Sequence, residues 1–119
     1  MHHRPENKFE QKLCYELNRR GWSTDHCESV TRAGWPDITA LRGVHAILIE
    51  TKKDSGIRES QRILAREMWI KHGVVVFTAK VTGDGWFILG TVCDKIEFGQ
   101  ALFSSISDLV DAILGWLKL

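Results

Sequence analysis

Residues 34–61 read GWPDITALRGVHAILIETKKDSGIRESQ, and the unbroken apolar run inside them, Ala46-Ile47-Leu48-Ile49, decides the fold. A strand with one wet face alternates apolar and polar residues, so a continuous run predicts a central strand covered on both sides. The strand is expected over Val44–Lys53 and ends in Glu50-Thr51-Lys52. Residues two apart on a strand share a face, which sets Glu50 and Lys52 side by side and turns Ile49 and Thr51 the other way. Just upstream, Gly34-Trp35-Pro36 forms a turn. Pro36 lacks a backbone donor and suits a strand start, so Asp37–Leu41 is a second short strand, joined to the third through Arg42-Gly43. Asp37, Glu50 and Lys52 are the side chains needed to hold a divalent cation and manage a water molecule beside a phosphodiester.

Working outward, Phe9, Leu13 and Leu17 recur every four residues, predicting a helix over Asn7–Arg20 that stops at Gly21. At about 100° per residue, Glu10 falls on the buried stripe of that helix, between Leu13 and Cys14. A core-facing carboxylate requires a lysine, a metal or a hydrogen-bond donor beside it, unless it sits at the stripe edge and reaches water. Trp22–Arg32 reads as a half-exposed first strand. Downstream, a helix over Glu59–His72 draws its apolar side from Ile63, Leu64, Met68 and Ile70, and Gly73 ends it. Val74–Ala79 is a buried strand, Gly83-Asp84-Gly85 a hairpin turn, and Trp86–Val92 its partner. Ser105 followed by Asp108 opens a last helix presenting Ile106, Leu109, Val110, Ile113 and Leu117. Helix, three strands, helix, two strands, helix is an α/β order that gives a mixed central sheet flanked by helices.

A length of 119 residues suits one domain with one core. No apolar run approaches the roughly 20 residues that cross a bilayer, and the start, MHHRPENKFEQ, lacks the apolar core of a signal peptide, so a cytoplasmic protein is expected. Cys14, Cys27 and Cys93 are odd in number and widely spaced, which points to reduced thiols rather than disulfides or a zinc site. Net charge is only +1, so bulk attraction does not make this a nucleic-acid binder. Local charge differs. Arg42, Lys52, Lys53, Arg58, Arg62, Arg66, Lys71 and Lys80 crowd the middle of the chain, as phosphate contacts or as an ordinary solvated face.

With these residues in place the chain resembles the PD-(D/E)xK nuclease superfamily, and within it the VRR-NUC (virus-type replication-repair nuclease) family, some of whose members are stand-alone phage domains. Glu10 matches the first-helix acid, Gly34-Trp35-Pro36-Asp37 the GxPD position, Glu50-Thr51-Lys52 the ExK position and Gln61 the glutamine of the following helix. The family sets a serine three residues ahead of that glutamine. This chain has Arg58 there, so only Gln61 carries over.

The resemblance implies a restriction-endonuclease-like αβββαβ core, extended here by a hairpin strand and a C-terminal helix, and Mg²⁺- or Mn²⁺-dependent endonuclease action on DNA, branched or junction DNA in particular. It implies catalytic roles for Asp37, Glu50, Lys52, Glu10 and Gln61, with the cation on Asp37, Glu50, the Thr51 backbone carbonyl and Glu10. Hard oxygen donors of this kind suit those ions. Lys53, Arg58, Arg62 and Arg66 become candidate phosphate contacts. Two symmetric cuts require two sites, so a homodimer follows, meeting through the C-terminal helix or the Trp86 hairpin. Two other readings stay open. Asp37 can cap a turn while Glu50 and Lys52 form an ion pair at a sheet edge, and the fold can serve as a non-catalytic nucleic-acid-binding or assembly module or as a sequence-reading restriction-type nuclease.

Overall fold

The computed structural model describes residues 5–26, 34–52, 57–92 and 101–119, with residues 5–7, 26 and 52 as backbone only. The elements are α1 (Pro5–Arg19), β1 (Ser23–His26), β2 (Ile38–Arg42), β3 (His45–Lys52), α2 (Glu59–His72), β4 (Val76–Val81), β5 (Phe87–Val92), β6 (Ala101–Phe103) and α3 (Ile106–Trp116). The six strands lie side by side in sequence order. Every pairing is antiparallel except β3 with β4. A parallel pair requires a crossover, and α2 provides it.

The apolar run behaves as its composition demands. Ile47 and Ile49 enter the larger core with Phe9, Leu13 and Leu17 of α1 and Leu109, Val110 and Ile113 of α3. Leu48 faces the opposite way and packs with Ala65, Val76 and Val92 beneath α2. The strand is covered on both faces and sits third of six, so the edge ion-pair reading of Glu50 and Lys52 does not fit its place in the sheet. Of the expected first strand, Trp22–Arg32, residues Ser23–His26 form β1, and residues 27–33 lie outside the described part.

Two anchors fix α1, and with it Glu10. Near the front, Phe9 stacks on Phe87 of β5 with ring centroids 5.6 Å apart. Just past its end, the Arg20 guanidinium binds Glu16, Asp111, and both the carbonyl and the hydroxyl of Ser107, tying α1 to α3. Arg19 and Arg20 donate to Glu16 and hold its carboxyl well below the ordinary value of 4.5, at about 2. A depressed carboxyl stabilises the fold above its unfolded pKa and loses that contribution as pH falls from about 4.5 towards 2. Thermal unfolding at pH 7 and pH 3 is therefore expected to show wild type losing slightly more stability on acidification than Glu16→Gln. The difference is small because the pair is close to solvent.

One face of α2 departs from the expectation. Gln61, Leu64 and Ala65 are buried and Met68 packs behind them, whereas Ile63 and Ile70 are 59% and 66% exposed. At 100° per residue, positions 61, 64, 65 and 68 share one side, and 63 and 70, a heptad apart, share the other. Two isoleucines on that outer side cannot join Leu64 and Met68 in the core. The end of α2 is as read: Gly73 adopts φ 65° and its N–H closes on Met68 and Trp69 carbonyls. Ser105 caps α3 by accepting from Asp108 N at 3.1 Å.

Candidate functional site

The GWPD turn is held from below. Gly34 has φ +86°, and a Cβ there would stand 2.3 Å from the Ser60 carbonyl oxygen and 2.9 Å from Gln61 N, so the turn lies directly against the first turn of α2. Pro36 is fully buried, and Trp35 packs beside the Leu48 cluster with its indole N–H 3.3 Å from Thr39 Oγ1. Trp35 therefore supports the turn from the α2 side. Asp37 follows at the lip of β2.

Three side chains then meet at the far end of β3. Thr51 N donates to Asp37 Oδ2 at 3.0 Å. Thr51 Oγ1 lies 2.9 Å from the same Oδ2 and 2.6 Å from Glu10 Oε1. Glu10 is buried on α1 as its place on the helical stripe predicted, and the donor beside it is a threonine hydroxyl. Thr51 points at α1 because it alternates with Glu50: Ile49 and Thr51 share the α1 face, Leu48 and Glu50 the α2 face. Glu50 is buried next to this junction. The residue before it, Ile49, pairs with Ile38, the residue after Asp37.

Lys52 occupies the next same-face position of β3, and its side chain lies outside the described residues, as do Lys53 and residues 54–56. Lys80 of β4 stands in register with Lys52, so a second lysine comes to this end of the sheet. Gln61 is buried at the third position of α2, and its Oε1 accepts from Arg58 N at 2.9 Å. That bond is the return half of a capping box.

Among the described residues no three His, Cys, Asp or Glu side chains gather into a metal cage. The donor chemistry nonetheless suits a hard divalent cation. Two carboxylates crowd one hydroxyl that has a single hydrogen to share, and Mg²⁺ is ordinarily held by one or two carboxylates, with water and phosphate completing its shell. The other titratable group near Glu10 is inert: burial pushes the Cys14 thiol up to about 11, Thr24 pulls it back somewhat, and the Glu10 and Asp25 charges add to the rise. Cys27 and Cys93 lie outside the described residues.

The basic cluster divides. Arg42 lies over the Trp22 ring at 4.6 Å and donates to the Arg20 carbonyl, so it serves packing. Lys71 pairs with Glu67. Arg58, Arg62 and Arg66 recur every four residues along the outside of α2, where Arg62 and Arg66 line an open groove with Ile57, Glu59 and Ile63.

Of the residues that sequence reading names, Glu10, Asp37, Glu50, Lys52 and Gln61, the structure joins Glu10 and Asp37 on Thr51, of which the sequence reading uses only the carbonyl. A threonine in a strand is unremarkable by propensity, and its hydroxyl acquires a role only where α1 and β2 close over it.

No protein-family model matches the sequence, and no curated protein does either. Solved structures do match. The crystal structure of Hjc from Archaeoglobus fulgidus, a Holliday junction resolvase from a hyperthermophilic archaeon, superposes with a TM-score of 0.58, covering 92% of this chain and 94% of that one at 18% identity. The chain has a restriction-endonuclease-like fold, Hjc-like in its mixed sheet and flanking helices. No described helix is long and apolar enough to cross a membrane.

Proposed function

We propose that this chain is a divalent-metal-dependent DNA endonuclease of the PD-(D/E)xK superfamily, hydrolysing phosphodiester bonds in branched DNA and four-way junctions in particular. The observation that carries the reading is the meeting of Glu10 and Asp37 on Thr51, one residue past the buried Glu50. The Hjc likeness supports the substrate class, and the order of GWPD, ETK and Gln61 supports the narrower VRR-NUC assignment.

In this reading Asp37, Glu50, the Thr51 carbonyl and Glu10 would hold Mg²⁺ or Mn²⁺, which would supply positive charge to the reacting phosphate. Hydrolysis forms a bond from water oxygen to phosphorus with loss of one water proton and breaks the bond to the leaving ester oxygen, which gains one proton, so that one water is added across the bond. The Lys52 ammonium orients the water or stabilises charge growing on the phosphate. The Gln61 amide NH₂ binds phosphate, and Lys53, Arg58, Arg62 and Arg66 neutralise the flanking backbone. So small a protein has little surface for reading bases, which favours recognition by DNA shape.

Paired cuts require a homodimer. Leu109, Val110 and Ile113 of α3 are buried inside the fold, while Trp116 at its end and Trp86 of the hairpin are exposed, so the interface would use the end of α3 or the Trp86 hairpin. The protein then acts in the cytoplasm, and its resemblance to phage domains is consistent with a phage-encoded enzyme working in its host.

Incubation with Mg²⁺ or Mn²⁺ and four-way, flapped and linear DNA is expected to cleave the four-way substrate most rapidly. Absence of cleavage on all three in both metals would overturn the proposal. The second reading is a non-catalytic nucleic-acid-binding or assembly module on the same fold. That module would bind junction DNA and cut nothing. A fixed fragment pattern on linear plasmid would instead indicate a restriction-type enzyme.

A further inference from the structure

We infer that the Thr51 side chain is a positioning residue of this site: its hydroxyl locks Asp37 and Glu10 into the mutual arrangement that binds the divalent cation. The inference rests on the nuclease reading above and goes beyond its use of the Thr51 carbonyl. Asp37 Oδ2 is held by the Thr51 N–H at 3.0 Å and lies 2.9 Å from the hydroxyl, while Glu10 Oε1 lies 2.6 Å from that same hydroxyl oxygen. Three elements, α1, β2 and β3, are thereby registered through one oxygen atom.

Both contacts between Thr51 and Asp37 fall on Oδ2, so Thr51 restrains the carboxylate through one of its two oxygens. Thr51 is itself buried, and its β-branched side chain has few rotamers to choose from, so the hydroxyl is held where the carboxylates need it. Two carboxylates share one hydroxyl hydrogen at Thr51, and a divalent cation would supply positive charge to both of them.

Thr51→Val keeps the shape and the backbone N–H and removes only the hydroxyl. Thr51→Ser keeps the hydroxyl. The measurement is calorimetric titration of Mn²⁺ into the full chain, with metal-free thermal unfolding alongside. Loss of a group that orients metal ligands ordinarily weakens binding by about 10- to 100-fold, and Thr51→Val is expected to fall in that range while Thr51→Ser stays within about 3-fold of wild type. In cleavage assays Thr51→Val is expected to require more metal, with the rate largely recovered at saturating Mn²⁺.

A merely structural hydroxyl would lower the unfolding temperature of Thr51→Val and leave its Mn²⁺ affinity at the wild-type value. That result overturns the inference. Should Thr51→Val fail to fold, Thr51→Ala against Thr51→Ser carries the same contrast, and equal affinities in those two overturn it as well. Wild type that binds no Mn²⁺ overturns the nuclease reading itself, and this inference with it.

Discussion

Asp37→Asn is expected to abolish cleavage of junction DNA, by at least about 10³-fold in rate, and to leave junction binding and the fold close to wild type. A carboxylate that brings a cation to the scissile phosphate accounts for several kcal/mol of transition-state stabilisation, and each 1.36 kcal/mol is about tenfold in rate. Asparagine discriminates better than alanine here. Its side-chain oxygen can still accept from Thr51 N and Oγ1, as Asp37 Oδ2 does, so the charge is removed while the β2–β3 junction is preserved. Alanine would also strand the Thr51 N–H, at about 1–3 kcal/mol if no water reaches it, and would confuse lost chemistry with lost structure. Binding should persist because the proposed phosphate contacts, Arg58 at the N-cap of α2 and Arg62 and Arg66 on the helix, keep their charge in this variant. The paired measurement is single-turnover cleavage in Mn²⁺ and junction affinity by gel shift in Ca²⁺. Asp37→Asn that still cleaves at more than a tenth of the wild-type rate would remove Asp37 from the mechanism. Lost binding with a normal unfolding temperature would make it a DNA contact instead.

Much of this was legible because local chemistry and tertiary role coincide. The run Ala46–Ile49 had nowhere to go but a covered strand. Gly73 closes α2 at the expected residue, and Ser105 accepts from Asp108 N as its spacing suggested. Glu10 was placed correctly by helical phase alone, since a 15-residue helix with Leu13 and Leu17 inside leaves one choice for its buried face. What was not legible depends on distant chain segments. Strand β6 is three residues at the sheet edge, with Leu102 exposed; a segment so short has no periodicity, and only β5 gives it strand conformation. Ile63 and Ile70 were misplaced because hydrophobicity was counted without fixing the phase by Leu64 and Met68. The Thr51 hydroxyl could not be read at all, because its partners are 14 and 41 residues away.

Gly34→Ala carries the largest expected effect on stability, and it tests whether the GWPD turn is set by backbone contact with α2. In Gly34 the chain has φ +86°, which side-chain-bearing residues rarely adopt, and the added Cβ would meet backbone atoms of Ser60 and Gln61, the nearest at 2.3 Å. Neither neighbour can swing away, since both are in the first turn of a helix whose capping bonds run from Arg58 to Gln61. The left-handed backbone costs about 1–2 kcal/mol and forcing the turn off α2 about 1–3 kcal/mol more, a large share of the total for a small domain. Urea unfolding is expected to show a loss of this combined size with an unchanged slope. Because Asp37 is three residues from Gly34 and its carboxylate is held to Thr51 within 3.0 Å, the displaced turn should also weaken Mn²⁺ binding in the molecules that remain folded. Gly43→Ala is the control: it has φ +60° and nothing within 4 Å of its Cβ, so it should pay only the backbone term and leave metal binding alone. Equal losses in the two variants would mean that the contact with Ser60 is not what holds the turn.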